Sequence, residues 1–464
     1  VSDTKNSGDA STSKGAALLV ATFSSFITPF MASSVNIALP AMGKRFALDA
    51  VSLAWVSTAF LLAAAMFTVP FGRIADIYGR KRIFLYGIIT YTVSTLLVAI
   101  APSAVFLIAF RVLQGIGSAM IFGTSVAILT SVYPAAERGR VLGWNAAAVY
   151  TGLSIGPAVG GVLTQHCGWQ SIFLLSLPLG LITIIAVVWK LKGEWAEAKG
   201  EKVDFIGSVV YGLALVAIMY GFSRLPETLG IWLVAIGTAG LLAFIWWETR
   251  ANNPILNIGL FRHNTVFSLS NLAALINYMA TSAVGFLLSL YLQYIKGFSP
   301  QRAGLILISQ AVVMAILSPL AGRLSDRIEP RVLASIGMAL TTAGLILLTF
   351  LNQNTGLAFI LLCLVILGLG FALFSSPNSN AVMSSVEKKF YGVASGILGT
   401  MRLTGQMFSL GIAMLLFALF IGHVRITPEY YLLFLESTRT AFIIFAALCF
   451  GGIFASLARG KTKQ

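Results

Sequence analysis

Charge is what this chain has least of. Asp, Glu, Lys and Arg together make up 10% of its 464 residues, against about 25% in soluble domains, so an ordinary solvated surface is excluded. Cysteine is scarce as well. Cys167, Cys363 and Cys449 stand far apart, with no metal or redox spacing, which leaves them as small apolar packing residues rather than a disulfide framework. The histidines, His166, His263 and His423, fall singly at the ends of apolar segments. No nucleophile with a base, metal-ligand cluster or phosphate loop is present. Gly460-Lys461-Thr462 has the ending of a nucleotide-binding loop, but Ala455 replaces its first glycine. The expectation is a protein that is not an enzyme and carries no catalytic residue, metal or cofactor. Its energy source would be an ion or substrate gradient rather than ATP.

What the chain has in abundance is apolar length. Hydrophobic residues make up 58%, and fourteen mostly apolar segments between residues 16 and 458 are each long enough to cross a bilayer core of about 30 Å. The first follows a polar tail, Val1–Lys14, and is too long for the core of a signal peptide. The formal charge of +15 would point to nucleic acid in a soluble protein. Here most Lys and Arg fall in one alternate set of loops, the positive-inside pattern, which puts both termini in the cytoplasm and makes the excess a mark of topology. No nucleic-acid partner is expected.

Several motifs interrupt the apolar runs. Val35–Pro40 reads V-N-I-A-L-P, where Asn36 needs a polar partner and Pro40 is expected to end the first span. Gly72–Arg82 reads G-R-I-A-D-I-Y-G-R-K-R; Gly72 permits close helix approach, and Asp76 can pair with Arg80, Lys81 or Arg82 beyond Gly79. Arg111–Ala119, R-V-L-Q-G-I-G-S-A, sets an arginine about two turns into the fourth span with Gln114 one turn on, and an intramembrane arginine is by default functional. Gly152–Gly161 reads G-L-S-I-G-P-A-V-G-G. Gly152, Gly156 and Gly160 form a stripe without side chains, while Pro157 frees the Leu153 carbonyl, so this helix is expected to pack closely and bend at an interface between two halves. Gly161 completes that motif.

The pattern repeats. Gly322–Asp326, G-R-L-S-D, copies Gly72–Asp76 at an offset of 250 (322 − 72). Gly115, Gly117, Gly139, Gly143 and Gly152 recur as Gly368, Gly370, Gly392, Gly396 and Gly405 at an offset of 253 (368 − 115). A parallel repeat of six-span halves is one way transporters are built, with the substrate near the midplane between them. The copies differ in charge: Arg111 matches Leu364, and Arg402 matches Val149.

The span 2 to span 3 loop, the fourth-span arginine motif and Gly152–Gly161 resemble the corresponding motifs of the major facilitator superfamily, and six plus two plus six spans narrows the resemblance to its fourteen-span drug:proton antiporter branch. Trp55–Phe60, Ile172–Gly180 and Ser375–Asn378 add to it. The resemblance implies an all-α polytopic membrane protein of two six-helix bundles plus two extra linking helices. Its units would be a cytoplasmic tail 1–15, a bundle 16–191, a linker 192–204, the extra spans 205–248, a linker 249–264, a bundle 265–458 and a tail 459–464. It implies a plasma-membrane secondary transporter, exporting amphipathic molecules or drugs by ion- or proton-coupled alternating access. Gly72, Asp76, Gly79, Arg80, Lys81, Gly322 and Asp326 would form the conformational gate.

One departure weakens the usual coupling. Met31 stands where the branch has a first-span aspartate, and all 16 acidic residues lie in tails, loops or span ends. With Arg111 and Arg402 as its intramembrane charges, the cavity is expected to be positive and to favour substrates with an acidic group. Asn36, Gln114, Asn145, Tyr150, Asn271 and Asn277 are candidate lining residues, as are Tyr278, Gln310, Asn378 and Gln406. The expected partners are a small-molecule substrate, membrane lipids and protons, and the expected state is a monomer. The alternative is a uniporter or exchanger of an anionic or amphipathic metabolite; a membrane-embedded enzyme or a receptor is the reading from another class.

Overall fold

The computed structural model describes residues 14–251, 254–255, 258–325, 327–387 and 391–460. The first six spans are α1 (Lys14–Phe46), α2 (Ala50–Tyr78), α3 (Arg80–Ala99), α4 (Ala104–Val132), α5 (Ala135–Cys167) and α6 (Gln170–Lys190). Two more follow, α7 (Phe205–Arg224) and α8 (Thr228–Glu248), then a short helix α9 (Ile258–His263). The second set is α10 (Thr265–Leu290), α11 (Pro300–Leu324), α12 (Pro330–Leu348), α13 (Leu357–Ser384), α14 (Tyr391–Phe420) and α15 (Tyr431–Ala458). A π-helical turn, Tyr291–Ile295, lengthens α10. Fourteen of the described helices are long and apolar enough to cross a membrane, as expected.

Pro40 does not end the first helix. Both Pro29 and Pro40 lie inside α1, which continues to Phe46. A proline costs one backbone hydrogen bond, which neighbouring helices in a membrane bundle can offset. The stop comes at Ala47, whose φ of 56° turns the chain so that the Leu48 amide donates to the Gly43 carbonyl at 3.0 Å.

The duplication holds at the level of single atoms. A Cβ on Gly117 would lie 2.6 Å from the Tyr91 amide nitrogen and 2.9 Å from the Gly87 carbonyl; one on Gly370 would lie 2.7 Å from the Thr341 nitrogen and 2.8 Å from the Gly337 carbonyl. Gly115 rests on the Phe60 carbonyl as Gly368 rests on that of Gln310. Each half therefore uses the same side-chain-free crossings to bring its second, third and fourth spans together.

The Gly152–Gly161 stripe packs differently from the expectation. Gly152 lies against the Phe26 carbonyl, Gly156 against Ser33 and the Phe30 carbonyl, and Gly160 against Ser34, all on α1 of the same half. The interface between halves falls to the neighbouring positions. Gly161 meets the Pro300 carbonyl, and the Pro157 carbonyl meets Gly304 on α11. Helical periodicity puts the three glycines on one face but does not say which neighbour that face meets.

The added pair, α7 and α8, sits beside the seam. The Tyr211 hydroxyl reaches both the Ala65 carbonyl on α2 and Thr404 Oγ1 on α14, each at 3.5 Å. Met66 of α2 packs on Gly212, and Met219 of α7 packs on Gly411 of α14.

Candidate functional site

A cavity of about 210 Å³ opens at mid-depth between the two halves. From the first half its wall includes Asn36, Phe60, Arg111 and Pro157; from the second, Tyr278, Gln310, Phe371 and Gln406. None of the lining residues is acidic. Met31, the position noted in the first span, is fully buried in the apolar core and outside this wall.

Arg111 is the charged group of the wall. Its backbone lies about two turns inside α4, yet the side chain does not reach back to the membrane surface: it is 1% exposed. Nε donates to the Val56 carbonyl at 2.9 Å and Nη1 to Gln114 Oε1 at 2.5 Å. Gln114 in turn donates to Thr95 Oγ1 at 2.7 Å, which fixes its amide. The guanidinium lies 4.5 Å from the Phe60 ring centre, a cation–π geometry. Gln114 is thus a buried support for Arg111 and does not line the cavity.

Arg402 stands one turn below Gln406 along α14. It makes no hydrogen bond or ion pair among the described residues, and its guanidinium lies 5.9 Å from the ring centres of both Phe122 and Tyr278. Tyr278 also packs edge-on against Phe371, with ring centres 5.6 Å apart. Tyr150 of α5 hydrogen-bonds Ser375 of α13, bridging the halves one turn beyond Leu153 and Phe371.

The remaining polar candidates are buried away from the wall. Asn145 is buried, and its Oδ1 has no partner among the described residues. Asn271 donates to the Phe267 carbonyl at 2.9 Å, and neither polar atom of Asn277 has a partner among the described residues. Asn378 belongs to a cluster that sequence reasoning missed. Arg459, just past α15 and 1% exposed, donates to Asn378 Oδ1 at 2.8 Å, Ser456 Oγ at 2.8 Å and Ser270 Oγ at 3.1 Å. Burial pushes its guanidinium down to about 10, with Arg331 adding to the fall, and it remains charged at neutral pH. The one sequence signal was the S-x-x-R spacing of Ser456 and Arg459, whose arginine is the first residue of what looked like a tail.

The Gly72–Arg82 corner is a dense charge cluster. Arg80 donates from Nε to Asp76 Oδ1 at 2.8 Å, from Nη1 to Ser131 Oγ, and through both terminal nitrogens to Glu197 at 2.8 and 3.0 Å. Glu197 comes from the 192–204 linker, which straps the corner by its backbone too: the Arg80 amide donates to the Trp195 carbonyl and the Ala198 amide to the Asp76 carbonyl, both at 2.9 Å. Glu194 accepts from the Lys81 amide at 2.8 Å and would collide with any side chain on Gly79, whose φ is 118°. Arg73 pairs with Glu201. The corner of the second half carries a smaller charge cluster, in which Arg331 donates from Nε to Glu329 Oε2 at 2.5 Å. Ser325 Oγ donates to the Gly322 carbonyl at 2.7 Å and accepts from Asn380 at 3.1 Å; Asp326 lies outside the described residues.

The two ends of the bundle are unlike. At the end away from the Gly72–Arg82 corner the halves are laced together. Ser289 donates to the Asn36 carbonyl at 2.7 Å, Gln293 to the Ile37 carbonyl at 3.0 Å, and the Ala50 amide to the Val424 carbonyl at 2.9 Å. Among the described residues the hydrogen bonds between halves lie there or at mid-depth, where Ser154 reaches the Ala311 carbonyl at 3.2 Å.

Comparisons with known proteins agree with this architecture. The chain is 31% identical to multidrug resistance protein Stp of Mycobacterium tuberculosis (strain CDC 1551 / Oshkosh) over 82% of its own length and 71% of that protein's. It is 26% identical to riboflavin transporter RibZ of Clostridioides difficile (94% and 95% covered) and 28% identical to a tetracenomycin C resistance and export protein of Streptomyces glaucescens (82% and 71%). The crystal structure of the human organic anion transporter MFSD10 superposes with a TM-score of 0.65 over 96% of this chain and 99% of that one, at 13% identity. The sequence profile of the Major Facilitator Superfamily matches residues 21–267 and 271–463. With its duplicated halves, fourteen apolar helices among the described residues and a cavity between the halves, the chain belongs to that superfamily of transporters.

Proposed function

We propose that the protein is a secondary active exporter of amphipathic small molecules in the plasma membrane, working by alternating access of the central cavity. The observation that carries this is the cavity itself: both halves supply its wall, and the hydrogen bonds between halves gather at mid-depth and at one end. With both termini in the cytoplasm, as the loop charges favour, the laced end is extracellular and the described state faces inward. The named exporters among the relatives support export as the direction. The Asp76–Arg80 corner would hold the first half's cytoplasmic ends in register while the bundles rock. The units are the two bundles, 16–191 and 265–458, with the pair 205–248 between them, acting as a monomer in lipid.

Coupling to protons, on this reading, does not use a first-span carboxylate. Met31 and an acid-free cavity wall favour a second reading, exchange or uniport of an endogenous metabolite, and one of the relatives is a riboflavin transporter. Flux of a labelled substrate in proteoliposomes, with and without an imposed pH gradient, separates the two. Lumen acidification that rises with substrate flux is expected of the antiporter, and flux indifferent to pH would leave the uniporter.

A further inference from the structure

We propose that the cavity binds a compact aromatic monoanion, its acidic group on Arg111 and its ring against Phe60, Tyr278 and Phe371; this rests on the cavity being the substrate site.

The argument begins with an uncompensated charge. Arg111 has no carboxylate partner among the described residues, and none of the cavity's lining residues is acidic. A guanidinium has five N–H donors, and hydrogen bonds to Val56 and Gln114 engage two of them. The rest find no protein acceptor among the described residues, on a side chain that borders the cavity. A buried cation without a counter-charge is costly, and an arriving carboxylate or sulfonate would offset that cost through a forked pair of charge-assisted hydrogen bonds. A merely structural strut between α2 and α4 would need only the bond to the Val56 carbonyl. The Gln114–Thr95 chain behind it instead holds the fork in one orientation, as a binding group requires.

The ring follows from the rest of the wall. Three aromatic side chains border the cavity, and two of them already face a guanidinium: Phe60 under Arg111 at 4.5 Å and Tyr278 near Arg402 at 5.9 Å. The volume of about 210 Å³ falls below the usual 300–1,000 Å³ of drug-sized sites, which favours a small ligand. Asn36, Gln310 and Gln406 supply neutral donors and acceptors for whatever polar groups the ring carries. Nothing on this wall would neutralise a cation.

The test is equilibrium binding to the purified full chain in lipid nanodiscs, with no gradient, using three probes of one ring system: 2-naphthoate, its neutral methyl ester and 2-naphthyltrimethylammonium. Naphthoate is expected to bind at least roughly tenfold more tightly than either of the others, as one charge-assisted fork predicts. Arg111→Gln should erase that preference while ester binding persists, and Arg111→Lys should retain part of it. The proposal is overturned by equal or tighter binding of the cation, by an anion preference that survives Arg111→Gln, or by failure of all three probes to bind. Should Arg111→Gln not fold, the ranking on the unaltered protein still decides, and Phe60→Leu should weaken all three. Because binding is measured without flux, a chain that binds naphthoate but transports nothing would sink the exporter reading alone. One that moves cations and ignores naphthoate would sink this proposal alone.

Discussion

The two halves share a skeleton and part company at the surfaces that line the cavity between them. Gly115 on Phe60 is matched by Gly368 on Gln310, and Gly117 on Gly87 and Tyr91 by Gly370 on Gly337 and Thr341. Along those same crossings, however, the first half turns a phenyl ring and an arginine toward the cavity. The second half has Gln310 at the place of Phe60, and Leu364, fully buried, at the place of Arg111. Backbone approach leaves no freedom at the glycines, whereas a lining position is constrained only by what it must bind. A duplicated frame can thus keep its packing while each half acquires its own chemistry.

That comparison can be broken at several strengths. The most severe test is steric. Gly117→Val and Gly370→Val should each remove most folded protein, since overpacking of a tight crossing costs about 1–3 kcal/mol or more; if only one does, the equivalence of the halves fails. Detergent-solubilised yield on a sizing column is the readout. Next comes Arg459→Met, which strips Asn378, Ser270 and Ser456 of a charged donor and should cost about 2–4 kcal/mol, as a marked fall in melting temperature. Arg402→Leu should leave the melting temperature nearly unchanged, because it gives up only two distant ring contacts, while transport in proteoliposomes is lost; a matching loss of stability would make Arg402 a helix-packing residue.

The charged corner offers a finer comparison. Asp76→Asn alone should shift accessibility of cysteine labels at the two ends only partly, since Glu197 still holds Arg80 with two hydrogen bonds. Asp76→Asn with Glu197→Gln should shift it much further, and additive small effects would mean that the two acids do not share one role. At the weak end, Glu137→Gln breaks the exposed pair with Lys14 and should change stability by no more than about 1 kcal/mol.

Much of this was legible in the sequence because membrane spans, glycine offsets and intramembrane charges are local or periodic signals. Fourteen spans, the 250 and 253 offsets and the presence of Arg111 inside the fourth span all came from such signals. What was hidden depended on neighbours. The stripe Gly152–Gly160 could have met either half, and only the fold puts it on α1. Asn378 looked like a lining residue until Arg459 claimed its carbonyl oxygen. The segment 192–204 read simply as a linker, since nothing local says that its Glu194, Glu197 and Glu201 close over the Arg73–Arg82 corner.

The Trp195 and Ala198 backbone bonds have a mechanical consequence for α7 and α8. The linker that leads into them is bonded to the first half's corner, so the pair is anchored there at its entry. Its grip on the second half has no such backbone bond among the described residues: Met219 lies on the bare backbone of Gly411, and Tyr211 reaches Thr404 at 3.5 Å. Methionine is unbranched and adaptable, and a glycine opposite it offers no side chain to catch. Should the bundles rock, the pair would ride with the first as an outrigger, and the Met219–Gly411 seat would be the sliding bearing that lets the second pass.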